Sequence, residues 1–139
     1  MSTQLKEKEE KILEILNRLA KENAKGIPVV VEGKKDVESL RALAVSGEML
    51  EAKTGGKSLV EIVSEISEYG GREVILLLDF DRRGRKLTKN LKQNLERMKI
   101  KPNIFFWRRL RGVVGHDVKD IEGLPSYLDT LREKIAGLN

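Results

Sequence analysis

The feature that most constrains the fold is the run EVILLLD, residues 73–79, in which five consecutive apolar side chains are followed by an acid. A short run that is apolar on both faces is typical of a strand buried on both sides, as in parallel sheets. Three further strands are predicted from the β-branched run IPVVVEG at 27–33, the weaker run GEMLEAK at 47–53 and the aromatic run NIFFW at 103–107.

Segments with helical spacing of apolar residues alternate with these strands. They predict an N-terminal helix over 3–24, helices capped near Asp36 and Ser58, a helix striped by Leu87, Leu91, Leu95 and Met98, and a closing helix over 125–135. This order favours an α/β fold with a four-stranded, mainly parallel sheet flanked by helices. At 139 residues the chain is expected to form one domain, with the terminal helices added to that sheet.

Composition excludes several kinds of site. The chain has no cysteine and a single histidine, His116, so disulfides, thiolate metal sites and two-histidine metal sites are ruled out. A catalytic metal would be held mainly by carboxylates, which favours Mg²⁺ or Mn²⁺ over Zn²⁺. No apolar run approaches the roughly 20 residues of a membrane span, and the N-terminus does not resemble a signal peptide. We therefore expect a soluble, cytoplasmic protein with no membrane partner.

The positive charge is concentrated in one segment. The net charge is +5, but residues 82–111 contain twelve Lys and Arg and only one acid, which is Glu96. This segment begins directly after the acids at 79 and 81. A regional excess of this kind favours an anionic partner such as nucleic acid. The alternative is a solvated basic helix face without a partner.

Three acids follow the predicted strands. Glu32 closes the first strand, and Asp79 and Asp81 close the third. If the strand continues through Asp81, these two aspartates share a face about 7 Å apart, and a divalent cation would relieve their repulsion. Glu32 would face the same site if the first and third strands are neighbours. The alternative is that Asp79 caps the next helix and Asp81 begins it.

Two motifs resemble a known family. V-V-V-E-G-K-K-D at 29–36 and L-L-L-D-F-D-R-R-G at 76–84 resemble the signature motifs of the Toprim domain, which topoisomerases, bacterial-type primases and ribosomal-RNA maturation nucleases share. The resemblance covers about 26–108, with 3–24 and 109–139 as additions, and implies a Rossmann-like Toprim fold. The small size is similar to that of the stand-alone Toprim proteins of archaea and bacteria.

The resemblance also implies roles for individual residues. Glu32 would act as general acid or base in phosphoryl transfer or would hold a metal, and Asp79 and Asp81 would coordinate Mg²⁺. Gly84 would free the backbone for a tight turn from strand to helix. The related topoisomerases and nucleases commonly carry an acid directly after that glycine. This chain has Arg85 there, which weakens the case for a tightly held second metal.

The resulting expectation is a nuclease that acts on RNA or single-stranded DNA. Glu32, Asp79 and Asp81 would be its catalytic and metal-binding residues, with Mg²⁺ or Mn²⁺. The flanking phosphates would be bound by Lys34, Arg82, Arg83, Arg85, Lys86, Lys89, Arg108 and Arg109. The alternatives are a non-catalytic metal-binding module that docks into a ribonucleoprotein or repair assembly, and a receiver-like domain.

Weaker signals remain open at this point. The turn T-G-G-K-S at 54–58 lacks the first glycine of a P-loop, although its amides could still accept a phosphate. The segment 115–120 places His116, Asp117 and Asp120 after the last strand, either as a capping cluster or as additional groups near the acids. Trp107 is expected in the core, with stacking on a base as the alternative.

Overall fold

A computed structural model describes residues 2–53 and 56–137 of the chain. Ten helices and strands follow one another in these residues. They are α1 (Ser2–Ala24), β1 (Val29–Val31), α2 (Lys34–Ala42), β2 (Met49–Glu51), α3 (Leu59–Glu68), β3 (Glu73–Leu76), α4 (Arg82–Arg97), β4 (Lys101–Asn103), α5 (Phe105–Val114) and α6 (Leu124–Gly137).

The strands form one sheet in the order β2-β1-β3-β4, and every pairing is parallel. In this register Val29 of β1 pairs with Met49 on one side and with Ile75 on the other. The predicted four-stranded parallel sheet is therefore confirmed. β1 and β3 are the two central strands, so the residues that follow them emerge side by side.

Helices cover both faces of the sheet, as its apolar strands require. Val29, Val31 and Ile75 face a core that also contains residues of α1, α2, α5 and α6. Val30 and Leu76 face the opposite core, which is formed with α3 and α4. The alternation of side chains along each strand therefore supplies both cores. No helix in the described part of the chain is both long and apolar enough to cross a membrane.

The predicted strand at 103–107 is wrong. β4 ends at Asn103, and Phe105 begins a helix that the sequence did not predict. The side chain of Asn103 accepts a hydrogen bond from the Phe105 amide at 3.0 Å, which favours the turn into the helix. Phe106, Leu110 and Val114 are buried at helical spacing, so packing decides the conformation of this aromatic segment.

The ends of three helices test the predicted caps and the predicted apolar stripe. Ser58 caps α3 in a capping box with Glu61, as predicted. Asp36 is not the N-cap residue of α2, because the helix begins at Lys34; it lies in the first turn, where its side chain accepts the Gly33 amide. Met98 does not join the buried stripe of α4, since the helix ends at Arg97 and the Met98 side chain is 53% exposed.

Candidate metal centre

Glu32 and Asp79 meet at the carboxyl edge of the sheet. Glu32 directly follows β1, and Asp79 follows β3 after two buried leucines. The backbone amide of Asp79 donates a hydrogen bond to Glu32 Oε2 at 2.8 Å. Glu32 is only 5% exposed, so this contact holds a buried carboxylate against the start of the next loop. The functional residues of open parallel sheets collect at this edge.

Two further aspartates adjoin this pair. Asp36, in the first turn of α2, is 7% exposed, and its Oδ2 accepts the Gly33 amide at 3.0 Å. Asp120 lies between α5 and α6, and its Oδ1 accepts the Gly123 amide at 2.8 Å. We call Glu32, Asp36, Asp79 and Asp120 the acidic cluster. Sequence reasoning missed Asp36, although it ends the first quoted motif, and named Asp120 only as an additional group.

The acidic cluster disfavours full ionisation. Burial, followed by the hydrogen-bonding contact with Glu32 and its charge, raises the pKa of Asp79 from 3.8 to about 8. The charges of Asp36 and Asp120 act in the same direction. Burial also raises the pKa of Asp36, although the Gly33 amide partly offsets this effect. A positively charged ligand would relieve this repulsion.

Lys53 already supplies one positive charge. It follows β2, which is the neighbour of β1, and its Nζ forms an ion pair with Glu32 Oε1. The backbone also connects the two residues, because the Lys53 amide donates to the Glu32 carbonyl at 2.9 Å. Sequence reasoning missed Lys53, because only the pairing of β2 with β1 brings it to the glutamate.

Asp81 has a different environment from Asp79. β3 ends at Leu76, so strand alternation does not continue to Asp81 as the sequence argument assumed. Asp81 is the N-cap of α4, is exposed, and accepts the Gly84 amide at 2.8 Å. The alternative that Asp79 caps the helix and Asp81 begins it is wrong, because Asp81 is itself the cap and Arg82 begins α4.

Glycine is required at position 84 because the backbone there lies very close to the backbone of Asp79, and not because of an unusual turn conformation. A Cβ atom at this position would lie 2.1 Å from the carbonyl oxygen of Asp79. The first turn of α4 thus passes directly over Asp79, where only glycine fits. The resemblance implied a different reason, namely backbone freedom at a tight turn.

The ligand atoms of these acids suit a hard cation such as Mg²⁺, but their positions do not form a ready metal site. Carboxylate oxygens are ligands that Mg²⁺ accepts, and it usually takes one or two of them together with water. In residues 2–53 and 56–137, however, no three acid or histidine side chains are arranged as a ready metal site. Both Glu32 oxygens already have partners in Lys53 and the Asp79 amide. Asp81 Oδ1 likewise already accepts the Gly84 amide, and the Asp79 side chain contacts Glu32.

The predicted nucleic-acid-binding residues are all exposed at the surface. Lys34 is exposed at the start of α2. The other residues of this predicted set are exposed on α4 and α5, and they are Arg82, Arg83, Arg85, Lys86, Lys89, Arg108 and Arg109. Trp107 is a core residue, since it is 6% exposed and its Nε1 donates to the Leu78 carbonyl at 2.9 Å. Its ring is therefore not available to stack on a base.

Of two weaker candidates, Asp117 forms its contacts elsewhere, and the turn at 54–58 lies partly outside the described residues. Asp117 forms an ion pair with Lys8 at 2.9 Å and accepts the Tyr127 hydroxyl at 3.0 Å, so it connects α1 with α6. The turn at 54–58 begins with Thr54 and Gly55, which lie outside the described residues.

A parallel sheet with a glutamate and an Asp-x-Asp pair after its two central strands is the arrangement that defines a Toprim domain. The family model for the Toprim domain matches residues 27–108, and the chain therefore belongs to the Toprim family. This confirms the resemblance drawn from the two motifs. The Toprim domain implies a metal-dependent function related to nucleic acid, and such domains typically bind a divalent metal ion.

Curated relatives align with this chain over most of their own length. The chain is 40% identical over 121 residues to the UPF0292 protein of Methanocaldococcus jannaschii, with 86% of this chain and 91% of that protein covered. It is 35% identical over 125 residues to the UPF0292 protein of Methanosarcina acetivorans, with 90% and 85% covered. A solved protein from Aquifex aeolicus has the same fold, with a TM-score of 0.64 at 24% identity over 78% of this chain and 94% of that one.

Proposed function

We propose that the protein is a Mg²⁺-dependent phosphodiesterase that binds RNA or single-stranded DNA. The observation that carries this proposal is the contact of buried Glu32 with Asp79 at the edge of the sheet, where burial together with the neighbouring Glu32 raises the pKa of Asp79 to about 8. Burial and the neighbouring acids disfavour the ionised form of this carboxyl group. A bound cation would stabilise that form, which is typical of a functional site. The exposed basic residues of α4 begin three residues later in the chain, at Arg82.

Each residue has a distinct role in this proposal. Asp79 and Asp81 would hold Mg²⁺ or Mn²⁺, which when bound polarises the phosphodiester and lowers the pKa of water. Glu32 orients Asp79 through its amide, and as general acid or base it passes a proton during hydrolysis. Water adds across one P–O bond, so the attacking water loses a proton and the leaving oxygen gains one. Lys53 forms an ion pair with the buried Glu32 side chain and so helps to hold it in place.

The basic surface would hold the strand on either side of the bond that breaks. The cations proposed for phosphate contacts lie on three helices that meet at the carboxyl edge of the sheet. These are Lys34, Arg82, Arg83, Arg85, Lys86, Lys89, Arg108 and Arg109. Such contacts position a strand without reading its sequence.

Cleavage assays with purified protein test the catalytic part. Labelled RNA and single-stranded DNA are incubated with Mg²⁺ or Mn²⁺, and the wild type is compared with Glu32→Gln and Asp79→Asn. We expect either variant to lower the rate by about 100-fold or more. Asp117→Asn is the matched control, because this exposed acid is bound to Lys8 and Tyr127 and is not a member of the acidic cluster. Cleavage that survives both substitutions would refute the assignment of the site.

A non-catalytic docking module is the second candidate. It is favoured by Glu32, whose two oxygens are already paired, and by the lack of a ready three-carboxylate cage in the described residues. This candidate predicts salt-dependent binding without cleavage of any substrate. Replacing Arg82, Arg83 and Lys86 with Glu should weaken binding to all sequences alike. A dissociation constant that does not change with salt would contradict phosphate contacts in both candidates.

A further inference from the structure

A cavity of about 380 Å³ lies beside the acidic cluster, between the first turn of α4 and the C-terminal half of α5. Phe80, the residue between Asp79 and Asp81, lies at its wall. Arg85, Arg108, Arg111 and His116 also line it, and we call these four residues the arginine pocket. Arg108 and Arg111 are three residues apart on α5, so both side chains lie on the same helix face.

The arginines of the arginine pocket form no ion pair with any carboxylate in the described part of the chain. No carboxylate is among the described residues that line the cavity. The acid next to His116, Asp117, is itself bound to Lys8. Three guanidinium groups that converge without a counter-ion form a binding site for an anion.

The chemistry of the pocket favours a phosphate monoester. Guanidinium groups bind phosphate oxygens in a two-pronged fashion, and several of them together favour a dianion over the single charge of an internal phosphodiester. The volume is at the small end of ligand pockets, which suits a phosphate with part of a nucleotide. Arg85 occupies the position directly after Gly84, where the related motifs commonly carry an acid. In this chain that position contributes to anion binding and not to the metal site.

We propose that the arginine pocket binds the terminal phosphate of a nucleic-acid strand and so directs the protein to phosphorylated ends. The proposal rests on the proposed function, because it assumes that the strand continues to the acidic cluster. Phe80 separates the two sites by a single residue in the chain, so adjacent parts of one strand can reach both. The terminal phosphate then fixes the distance from the strand end to the bond at the acids.

Gly112 offers a way to block the pocket without disturbing the fold. A Cβ atom at Gly112 would meet no atom within 4 Å, so Gly112→Leu should fill the cavity while Gly112→Ala changes it little. Gly115 is unsuitable for this purpose, because a Cβ there would lie 2.5 Å from the Arg111 carbonyl oxygen. The charge is removed separately with Arg108→Gln and Arg111→Gln. Lys101→Gln is the charge control, since this exposed lysine begins β4 at the opposite edge of the sheet.

Binding is measured in EDTA, so that no cleavage is needed. Oligonucleotides of one sequence carry a 5′-phosphate, a 3′-phosphate or hydroxyl groups at both ends. We expect the oligonucleotide with one of the two phosphorylated ends to bind at least about tenfold tighter than the one with hydroxyl ends. This ratio corresponds to the free energy of about one charged hydrogen bond. This preference should disappear in Gly112→Leu and in the double arginine variant, and persist in Gly112→Ala and Lys101→Gln.

Trp107 reports on the pocket directly. It is the only tryptophan, and the guanidinium carbon of Arg111 lies 5.4 Å from the centroid of its ring. Titration with a nucleoside 5′-monophosphate should change its fluorescence in the wild type and not in Gly112→Leu. Circular dichroism and the melting temperature show whether each variant is folded.

Three results would overturn the proposal. These are equal affinity of the wild type for all ends, an end preference that survives in the folded pocket variants, and fluorescence changes with inorganic phosphate or monophosphate but no end preference. The last result would assign the pocket to a free phosphate compound. A protein with the end preference but no cleavage would contradict only the phosphodiesterase activity, so the two failures can be distinguished.

Discussion

Asp79→Asn should stabilise the metal-free protein by an amount that grows with pH. Burial and the neighbouring Glu32 raise the pKa of Asp79 from 3.8 to about 8 in the folded state. Between these two pH values the unfolded chain loses this proton while the folded protein keeps it. The stability of the wild type therefore falls as pH rises through this range, and the full penalty is present above pH 8. Asparagine cannot ionise and has no such penalty.

The size of the effect follows from the shift in pKa. One pKa unit corresponds to about 1.4 kcal/mol, so a rise from 3.8 to about 8 sets an upper limit of about 6 kcal/mol for the ionised carboxylate. Asp79 retains contact with solvent, and its acidic neighbours titrate together with it, so screening and coupling reduce this limit. We expect a gain of about 2 to 3 kcal/mol for the variant at pH 8 and almost none at pH 4.

Urea unfolding in EDTA at pH 4, 6 and 8 measures this difference. Asp81→Asn is the control, because asparagine also caps helices and this exposed side chain lies outside the acidic cluster. Its effect should stay within about 0.5 kcal/mol at each pH. A difference between Asp79→Asn and wild type that is constant with pH, or a variant that is less stable at pH 8, would refute the argument.

Adding Mg²⁺ extends the same experiment. An ion that binds only the folded wild type raises its free energy of unfolding, by about 2.7 kcal/mol at 100 times the dissociation constant. Asp79→Asn should gain much less. Equal stabilisation of both proteins would mean that the ion binds elsewhere.

Three further substitutions test individual contacts. Gly84→Ala should destabilise the protein by about 3 kcal/mol in urea unfolding, because its Cβ would overlap the Asp79 carbonyl; Gly112→Ala, on an open helix face, should not destabilise it. Trp107→Phe should cost about 1 to 3 kcal/mol, since it leaves carbonyl groups after β3 without their indole donor, and an unchanged melting temperature would contradict this. Lys53→Gln should lower the dissociation constant of Mg²⁺ measured by calorimetry, because it removes the cation that is paired with Glu32. A higher dissociation constant would show that Lys53 favours ion binding.

The sequence predicted most of the sheet because the relevant signals are local. The apolar run before Asp79 is compatible with a strand covered on both faces, and the alternation of strands and helices limits how such strands connect. The aromatic segment that begins at Phe105 was assigned wrongly for the same reason. Its residues favour a strand locally, but packing of Phe106 and Leu110 against the core places them in a helix.

By itself the sequence determined which acids follow the central strands, that a metal site must depend on carboxylates, and that the basic residues follow those acids. These properties depend on residue type and order alone. Only the tertiary structure decided which groups meet. The strand order brings Lys53 to Glu32, the loop after α5 brings Asp120 to Asp79, and the fold places Arg85 of α4 at the same cavity as Arg108 and Arg111 of α5. Burial and charge act through space, so these pairings and the shifted pKa of Asp79 exist only once the chain has folded.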